Sequence, residues 1–356
     1  MEKEGVLYKP LKDKRAVCNL CYRRCNIGEG QIGFCGVRRN IGGKIYLIAY
    51  GKLTAINIDP IEKKPLFHYR PGSAMLSVGT VGCNYNCLYC QNWDISHERG
   101  ILGYDVPPSE LVDTAIDRGV DGITYTYNEP TIFAEYAMDT AEIARRHGIF
   151  NTFVTNGYMT PEAVKLLSSR IDAMTVDFKG NAKTEFARKY ISILSEEVIL
   201  QTLLELKKRH VFLEVTDLIV PKVGDSAEDA DKLVKWIYDN LGPDTPIHFL
   251  RFHPDYKMMD FPETPVKTLE KHYEIAKRIG MHYVYLGNVP GHRYENTYCP
   301  VCNTLLVRRF IFTITGYNIT KDGRCPKCSS KINIIINPKV DLNMRKGTEE
   351  MQGGIA

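Results

Sequence analysis

Three cysteines, Cys83, Cys87 and Cys90, follow directly on a short apolar run at 75–78. Their C-x3-C-x2-C spacing supplies three thiolates from one loop. A cubane [4Fe–4S] cluster ordinarily takes four thiolate ligands. Three leave one iron open, and an open iron can bind a substrate or cofactor. The spacing therefore points to a catalytic centre rather than to one that only carries electrons.

The chain has eleven cysteines, and the other eight fall into two groups of four. Cys18, Cys21, Cys25 and Cys35 form a C-x2-C-x3-C-x9-C pattern near the N-terminus. Cys299, Cys302, Cys325 and Cys328 form two C-x2-C knuckles separated by 22 residues. Four thiolates close a metal site, and three leave it open. The paired knuckles have the pattern of a structural zinc ribbon, with an iron site of rubredoxin type as the competitor. The N-terminal four suit either zinc or an auxiliary cluster. A disulfide framework is a poor reading, because a chain of this length has no need of staples.

These groups must be held by a scaffold. Between residues 75 and 290, short apolar runs alternate with amphipathic stretches. The expected strands are 75–78, 123–127, 150–154, 173–177, 211–220, 247–252 and 283–286. The expected helices are 110–118, 132–147, 161–169, 195–209, 227–240 and 266–279. Ser109 and Ser226 are the expected N-caps, and Gly148 and Gly280 the expected stops. Repeated βα units imply a parallel sheet with right-handed crossovers. The fold class is α/β, with an open or partial (β/α) TIM-type barrel. In such barrels the chemistry sits at the C-terminal ends of the strands, where the three-cysteine loop falls. Four regions result: an N-terminal Cys-rich metal-binding module at 1–72, the barrel at 73–292, a zinc-ribbon-like module at 293–340 and a polar tail at 341–356. Strands are also expected at 44–50, 54–58, 305–315 and 331–336.

The C-x3-C-x2-C loop and the βα units after it resemble the radical S-adenosylmethionine superfamily. There the open iron binds the amino and carboxylate groups of S-adenosylmethionine. One electron from the reduced cluster then cleaves the sulfonium and yields a 5′-deoxyadenosyl radical. The resemblance makes Cys83, Cys87 and Cys90 the catalytic, cluster-holding residues. It implies that Tyr89 packs beside the adenine. Thr126-Tyr127-Asn128-Glu129-Pro130 stands where the family has a Gly-Gly-Glu-Pro-like turn, so Asn128 and Glu129 are cofactor-binding candidates. Tyr127 and Asn128 replace the two glycines of that turn. Thr155-Asn156-Gly157 and Asp177-Phe178-Lys179 are similar to pieces of the pyruvate formate-lyase activating branch. They add Thr155, Asn156, Asp177 and Lys179 to the cofactor set. That branch has an acid before Thr-Asn-Gly, whereas this chain has Val154, which puts a shared cation site in doubt. His253, after the strand at 247–252, resembles a histidine near the adenine.

The combination narrows the resemblance. The N-terminal cysteines, the stretch 59–68, Gly79-Thr80-Val81-Gly82-Cys83 and Leu286-Gly287-Asn288-Val289-Pro290-Gly291 together are similar to the AmmeMemoRadiSam-system radical SAM enzymes. That resemblance implies a flavodoxin- or ferredoxin-type electron donor, a protein or small-molecule substrate, and Memo-like and AMMECR-like partners. The stretch 59–68, with its two prolines, reads as an ordered loop that covers the cofactor. His68 reads as a hydrogen-bonded surface histidine rather than a member of the active-site rim.

Composition sets outer bounds. Hydrophobic residues make up 44% of the chain and charged residues 25%, ordinary for a globular protein. No apolar signal region opens the chain, and no run approaches the roughly 18 apolar residues of a membrane helix. A cytoplasmic location is expected, and thiol-rich metal sites favour a reducing compartment. Net charge is only +4, but 293–340 holds eight Lys or Arg against two Asp or Glu. That basic segment leaves open a second class of function, a nucleic-acid-binding or RNA-modifying protein built around the ribbon.

Overall fold

The computed structural model describes residues 2–339. Its centre is an eight-stranded sheet of β1 (Ala55–Pro60), β2 (Ala74–Gly79), β3 (Gly122–Tyr125), β4 (Phe150–Thr155), β5 (Ala173–Lys179), β6 (Phe212–Ile219), β7 (Ile247–Arg251) and β8 (Val284–Gly287). The strands lie in sequence order from β8 to β1. β2 through β8 are parallel, with pairs such as Tyr125↔Val78 and Val176↔Val215. β1 runs antiparallel to β2 along one edge. β1 and β8 are opposite edges, so the barrel is partial.

Strands covered on both faces tend to be rich in apolar residues, and these are, although buried polar residues such as Thr152, Thr175, Glu214 and His248 interrupt them. Helices α1 (Pro108–Asp117), α2 (Ala134–Arg146), α3 (Pro161–Leu167), α4 (Glu197–Lys208), α5 (Ala227–Leu241) and α6 (Val266–Ile279) separate successive strands. Each turns one apolar stripe inward. α5 buries Ala230, Leu233, Val234, Ile237 and Leu241, which recur at helical spacing. Each large aliphatic side chain so buried contributes about 1.5–3 kcal/mol. Ser226 caps α5 by accepting from Asp229 N at 3.3 Å. α6 ends at Gly280, whose φ is +113°. Ser109 is not a cap: α1 begins one turn-position earlier, with Pro107 at the cap and Pro108 as first residue. Proline suits that first position because its missing N–H would have had no partner there.

Two small three-stranded sheets hold the N-terminal cysteines. One joins Tyr8–Pro10, Ala16–Cys18 and Asn26–Ile27, and the other Lys3–Glu4, Lys44–Leu47 and Arg38–Ile41. They dock on α2 through a buried ion pair. Arg38 donates from both terminal nitrogens to the two carboxylate oxygens of Glu135, which also accepts from Val6 N. A third small sheet, Thr297–Tyr298, Leu305–Phe310 and Thr313–Tyr317, carries the C-terminal knuckles. It packs against Tyr283, Tyr285 and Phe67. It thus fills the side of the barrel that the sheet leaves open. The second knuckle is followed by isolated bridges at Lys331 and Ile335 rather than by a strand over 331–336. The expected tail, 341–356, lies outside the described residues.

Of the two expectations for 59–68, the surface histidine fails. Asp59 and Pro60 end β1, Ile61–Lys63 form a short 3₁₀ turn, and Glu62, Lys63, Lys64, Pro65 and Phe67 line the cavity described below. His68 is fully buried. Its Nδ1 lies 2.6 Å from Asn333 O and its Nε2 2.5 Å from the Tyr285 hydroxyl. Among the described residues no helix is long and apolar enough to cross a membrane.

Candidate active site

A cavity of about 520 Å³ opens at the C-terminal ends of the strands and runs into the barrel. Cys83, Cys87 and Cys90 line it from the loop after β2. Cys87 is buried, and its two partners are partly so. Burial pushes the Cys83 thiol up to about 12 and the Cys87 thiol well above its ordinary value. Thiols so placed ionise only against a metal's positive charge. No three of the described thiols here lie within 4.8 Å of one another, a closeness reached only by Cys299, Cys302, Cys325 and Cys328. The donor set therefore fits a cluster, which seats each thiolate on a different iron, better than a single ion.

The strand ends bring every sequence-predicted cofactor residue to this cavity. After β3, the chain turns through Tyr127 at φ +70°. Glycine favours that region, so the turn keeps its shape although tyrosine replaces the glycine. Tyr127 is held there from three sides. Its hydroxyl donates to Asp59 and accepts from Asn57 Nδ2, and its carbonyl accepts from Asn92 Nδ2. Asn128 accepts from Thr80 N at 3.3 Å and donates to Gly82 O at 2.7 Å. It ties the β3 turn to the three-cysteine loop. Glu129 is buried and accepts from Thr131 N, Thr131 Oγ1, Thr155 Oγ1 and Asn156 N. Burial raises its pKa in spite of these four donors. Three of the bonds fall on Oε1, so Oε2 keeps acceptor capacity for a cationic group.

After β4, Asn156 donates to Asn84 Oδ1 at 2.8 Å, within the three-cysteine loop. At the end of β5, Asp177 accepts from Lys179 Nζ at 2.5 Å and from Thr216 Oγ1 at 2.8 Å. Tyr89 is buried between Phe186 and Phe252, each with its ring centroid 5.9 Å away, and its hydroxyl has no partner. His253 lies at the exposed rim, its Nε2 3.8 Å from Glu263.

Glu62 belongs to the stretch 59–68 expected over the cofactor, and several further residues escaped the sequence reading. Glu62 lines the cavity with one carboxylate oxygen unpartnered, and burial pushes its carboxyl up to about 7. Arg309 approaches it to 3.9 Å from the C-terminal module. Glu295, Ile311 and Phe312 of that module also line the cavity. Glu196 and Asp217, both buried acids with unpartnered oxygens, act electrostatically on Lys179 and Asp177. Burial pushes the Asp217 carboxyl up to about 7. Asp217 could have been found as one of two acids, with Glu214, inside strand β6. Glu196, in a loop, carries no such signal.

Residues 77–237 match the family model described as the Radical SAM superfamily. The uncharacterized protein MJ0808 of Methanocaldococcus jannaschii is 45% identical over 94% of this chain and 100% of its own length. The pyruvate formate-lyase-activating enzyme of Clostridium pasteurianum is 24% identical over 50% of this chain and 80% of its own. A radical SAM methyltransferase from Sphaerobacter thermophilus superposes with a TM-score of 0.48 at 14% identity, covering 62% of this chain and 68% of that one. The chain belongs to the radical SAM superfamily, and it is an enzyme of the class built on a [4Fe–4S] cluster and S-adenosylmethionine.

Proposed function

We propose that Cys83, Cys87 and Cys90 hold the cluster and that the cavity beside them receives S-adenosylmethionine and a hydrogen-donating substrate. The observation that carries this is one cavity lined both by the three thiols and by polar groups at the ends of β3, β4, β5, β7 and β8. Bound there, the cluster and cofactor supply a one-electron cleavage that yields a 5′-deoxyadenosyl radical, which takes hydrogen from the substrate. Glu129 Oε2 and Asn156 orient the cofactor's amino end. Lys179, fixed by Asp177, meets its carboxylate, and Tyr89 and His253 flank its base. Asn128 positions the loop rather than touching the cofactor. The C-terminal module excludes water by walling the cavity with Ile311 and Phe312.

The four C-terminal thiols support a structural zinc, since Cys299–Cys328 and Cys302–Cys325 stand 3.6 and 3.5 Å apart. A tetrahedral ion with Zn–S bonds of about 2.3 Å places its sulfurs about 3.8 Å apart. The kinship with an activating enzyme supports a protein substrate, including hydrogen abstraction from a backbone glycine. The subgroup resemblance supports Memo-like and AMMECR-like partners and a flavodoxin- or ferredoxin-type reductant.

The test is anaerobic reconstitution, then addition of reductant and S-adenosylmethionine. 5′-Deoxyadenosine is measured for the wild type and for Cys83→Ala/Cys87→Ala/Cys90→Ala. Formation by the wild type alone is expected. Zinc without any cluster at the central cysteines would overturn the reading. Deuterium transfer from labelled proteins or small molecules into deoxyadenosine then sorts the substrate classes.

A further inference from the structure

The four N-terminal cysteines form a site of a kind the spacing left undecided between zinc and iron–sulfur. Cys18, Cys21, Cys25 and Cys35 all line one small buried cavity, closed on other sides by Arg23 and Asn84 among others. They belong to different local pieces. Cys18 ends a strand, Cys21 bridges to Met159 across the molecule, and Cys35 sits in the turn before Arg38–Ile41. The four converge on one space without converging on one another. No three of their sulfurs lie within 4.8 Å of one another. The same molecule contains the contrasting case, since the C-terminal four do reach that closeness with nothing bound. A mononuclear tetrahedral ion needs sulfurs about 3.8 Å apart. A cluster seats each thiolate on its own iron, or two on each of two irons, and needs them around a larger space.

The cavity wall supplies a second, independent sign. Asn84 is fully buried and its Nδ2 has no hydrogen-bond partner. Arg23 Nη2 is likewise buried without one, although Arg23 Nε donates to Asn84 O at 2.8 Å. Two unpartnered N–H donors at one cavity are costly unless an acceptor occupies it. Bridging sulfides and thiolates of a cluster are such acceptors, and a zinc ion already enclosed by four thiolates offers fewer. We infer that Cys18, Cys21, Cys25 and Cys35 hold a closed iron–sulfur cluster, with Asn84 and Arg23 donating to its sulfurs.

All four ligand positions are protein thiolates, so this cluster carries an electron and binds no substrate. Its location suits passing that electron to the central loop. Asn84 lines the N-terminal cavity while its Oδ1 lies 3.9 Å from Cys83 Sγ. Gly82 packs on Cys35 so closely that a Cβ there would stand 2.1 Å from the Cys35 carbonyl oxygen. In the transfer one electron leaves the N-terminal cluster for the central one and is replaced by a low-potential protein donor, with no bond made and no proton moved. That role rests on the proposed function, whereas the site does not.

The experiment uses the full chain, reconstituted anaerobically with iron and sulfide and then analysed for iron, sulfide and zinc and by EPR after dithionite. It compares the wild type, Cys83→Ala/Cys87→Ala/Cys90→Ala and Cys21→Ser/Cys35→Ser. The central variant is expected to keep about a third to a half of the wild-type iron and a dithionite-reducible EPR signal. The N-terminal variant is expected to lose that share. Two zinc ions per wild-type chain, with no iron in the central variant, would overturn the inference and leave the proposed function standing. A single cluster that survives the central variant and vanishes in the N-terminal one would uphold the inference and overturn the function. Should the N-terminal variant precipitate, the wild type and central variant decide the matter alone.

Discussion

The two four-cysteine groups start from the same sequence element, a C-x2-C pair, and end in different arrangements. At the C-terminal group two antiparallel knuckles face each other, and the thiols pair at 3.5 and 3.6 Å. At the N-terminal group the thiols ring a cavity. The C-terminal group rests on its own small sheet and a local apolar cluster. The N-terminal group borrows walls from the barrel, including Asn84, Thr131 and Ile132. A site completed by a neighbouring domain can be kept open, whereas a self-contained one collapses onto itself. The central three cysteines share the open arrangement, and they share Asn84 with the N-terminal four.

The most severe test of this contrast is Cys87→Ala set beside Cys302→Ala. Deoxyadenosine formation should fall to background in the first, measured by chromatography and mass spectrometry. In the second, the cluster iron should stay and only zinc should be released. Removal of zinc by a chelator comes next. In zinc-finger peptides structural zinc contributes an apparent stabilisation of about 10–16 kcal/mol. Hydrogen exchange should then rise steeply over 297–317 and little over β2 to β5. Equal loosening of both regions would mean that the C-terminal group is not self-contained.

Arg38→Met probes how the N-terminal group borrows its walls. It leaves Glu135 charged, buried and unpaired, which costs roughly 3–5 kcal/mol. Calorimetry should show a lowered Tm together with loss of any N-terminal metal. An unchanged metal content would show that docking on α2 is not what keeps that site open. Gly82→Ala should cost about 2 kcal/mol or more, since it combines φ +81° with a contact on Cys35 O. Both open sites should lose metal in this variant and the closed one should not.

The smallest effect expected is a pH dependence. Burial pushes the His68 pKa down to about 4 from an ordinary 6.5, with Glu214 opposing and His248 and Arg309 reinforcing the shift. The unfolded chain therefore takes up the proton first. The stability held by neutral His68 is complete above pH 6.5 and is lost as pH falls through 4. Between pH 7 and pH 4.5 the loss should be about 2–3 kcal/mol. Urea unfolding of the wild type and His68→Asn at pH 7 and pH 4.5 should show their difference shrinking at the lower pH. A constant difference would mean that His68 keeps its contacts when protonated.

The barrel was legible because its signals are local. The alternation of apolar strands and amphipathic helices needs no knowledge of partners, and the polar residues that follow each strand fall on one rim by topology alone. What escaped depends on residues far apart in the chain. The spacing of Cys18, Cys21, Cys25 and Cys35 could not say whether the thiols meet, because Asn84 and Thr131 decide it. His68 was read as exposed because its polar partners, Tyr285 and Asn333, arrive only with β8 and the C-terminal module. Tyr127 shows the converse, a local rule overridden, since three hydrogen bonds hold a tyrosine where glycine is favoured.

Arg309 gives the C-terminal module a consequence for how the enzyme is made. Its guanidinium is buried and donates to Phe67 O at 2.9 Å, a residue 242 positions earlier. In the order of synthesis, the barrel and the seven nearer cysteines emerge before this wall does. Until it arrives, the cavity lacks the wall that Glu295, Ile311 and Phe312 supply. Once Arg309 seats, that wall is joined to the stretch beside β1. The last part of the chain to be made thus completes a chamber whose opposite wall, near Glu62 and Phe67, is made among the first.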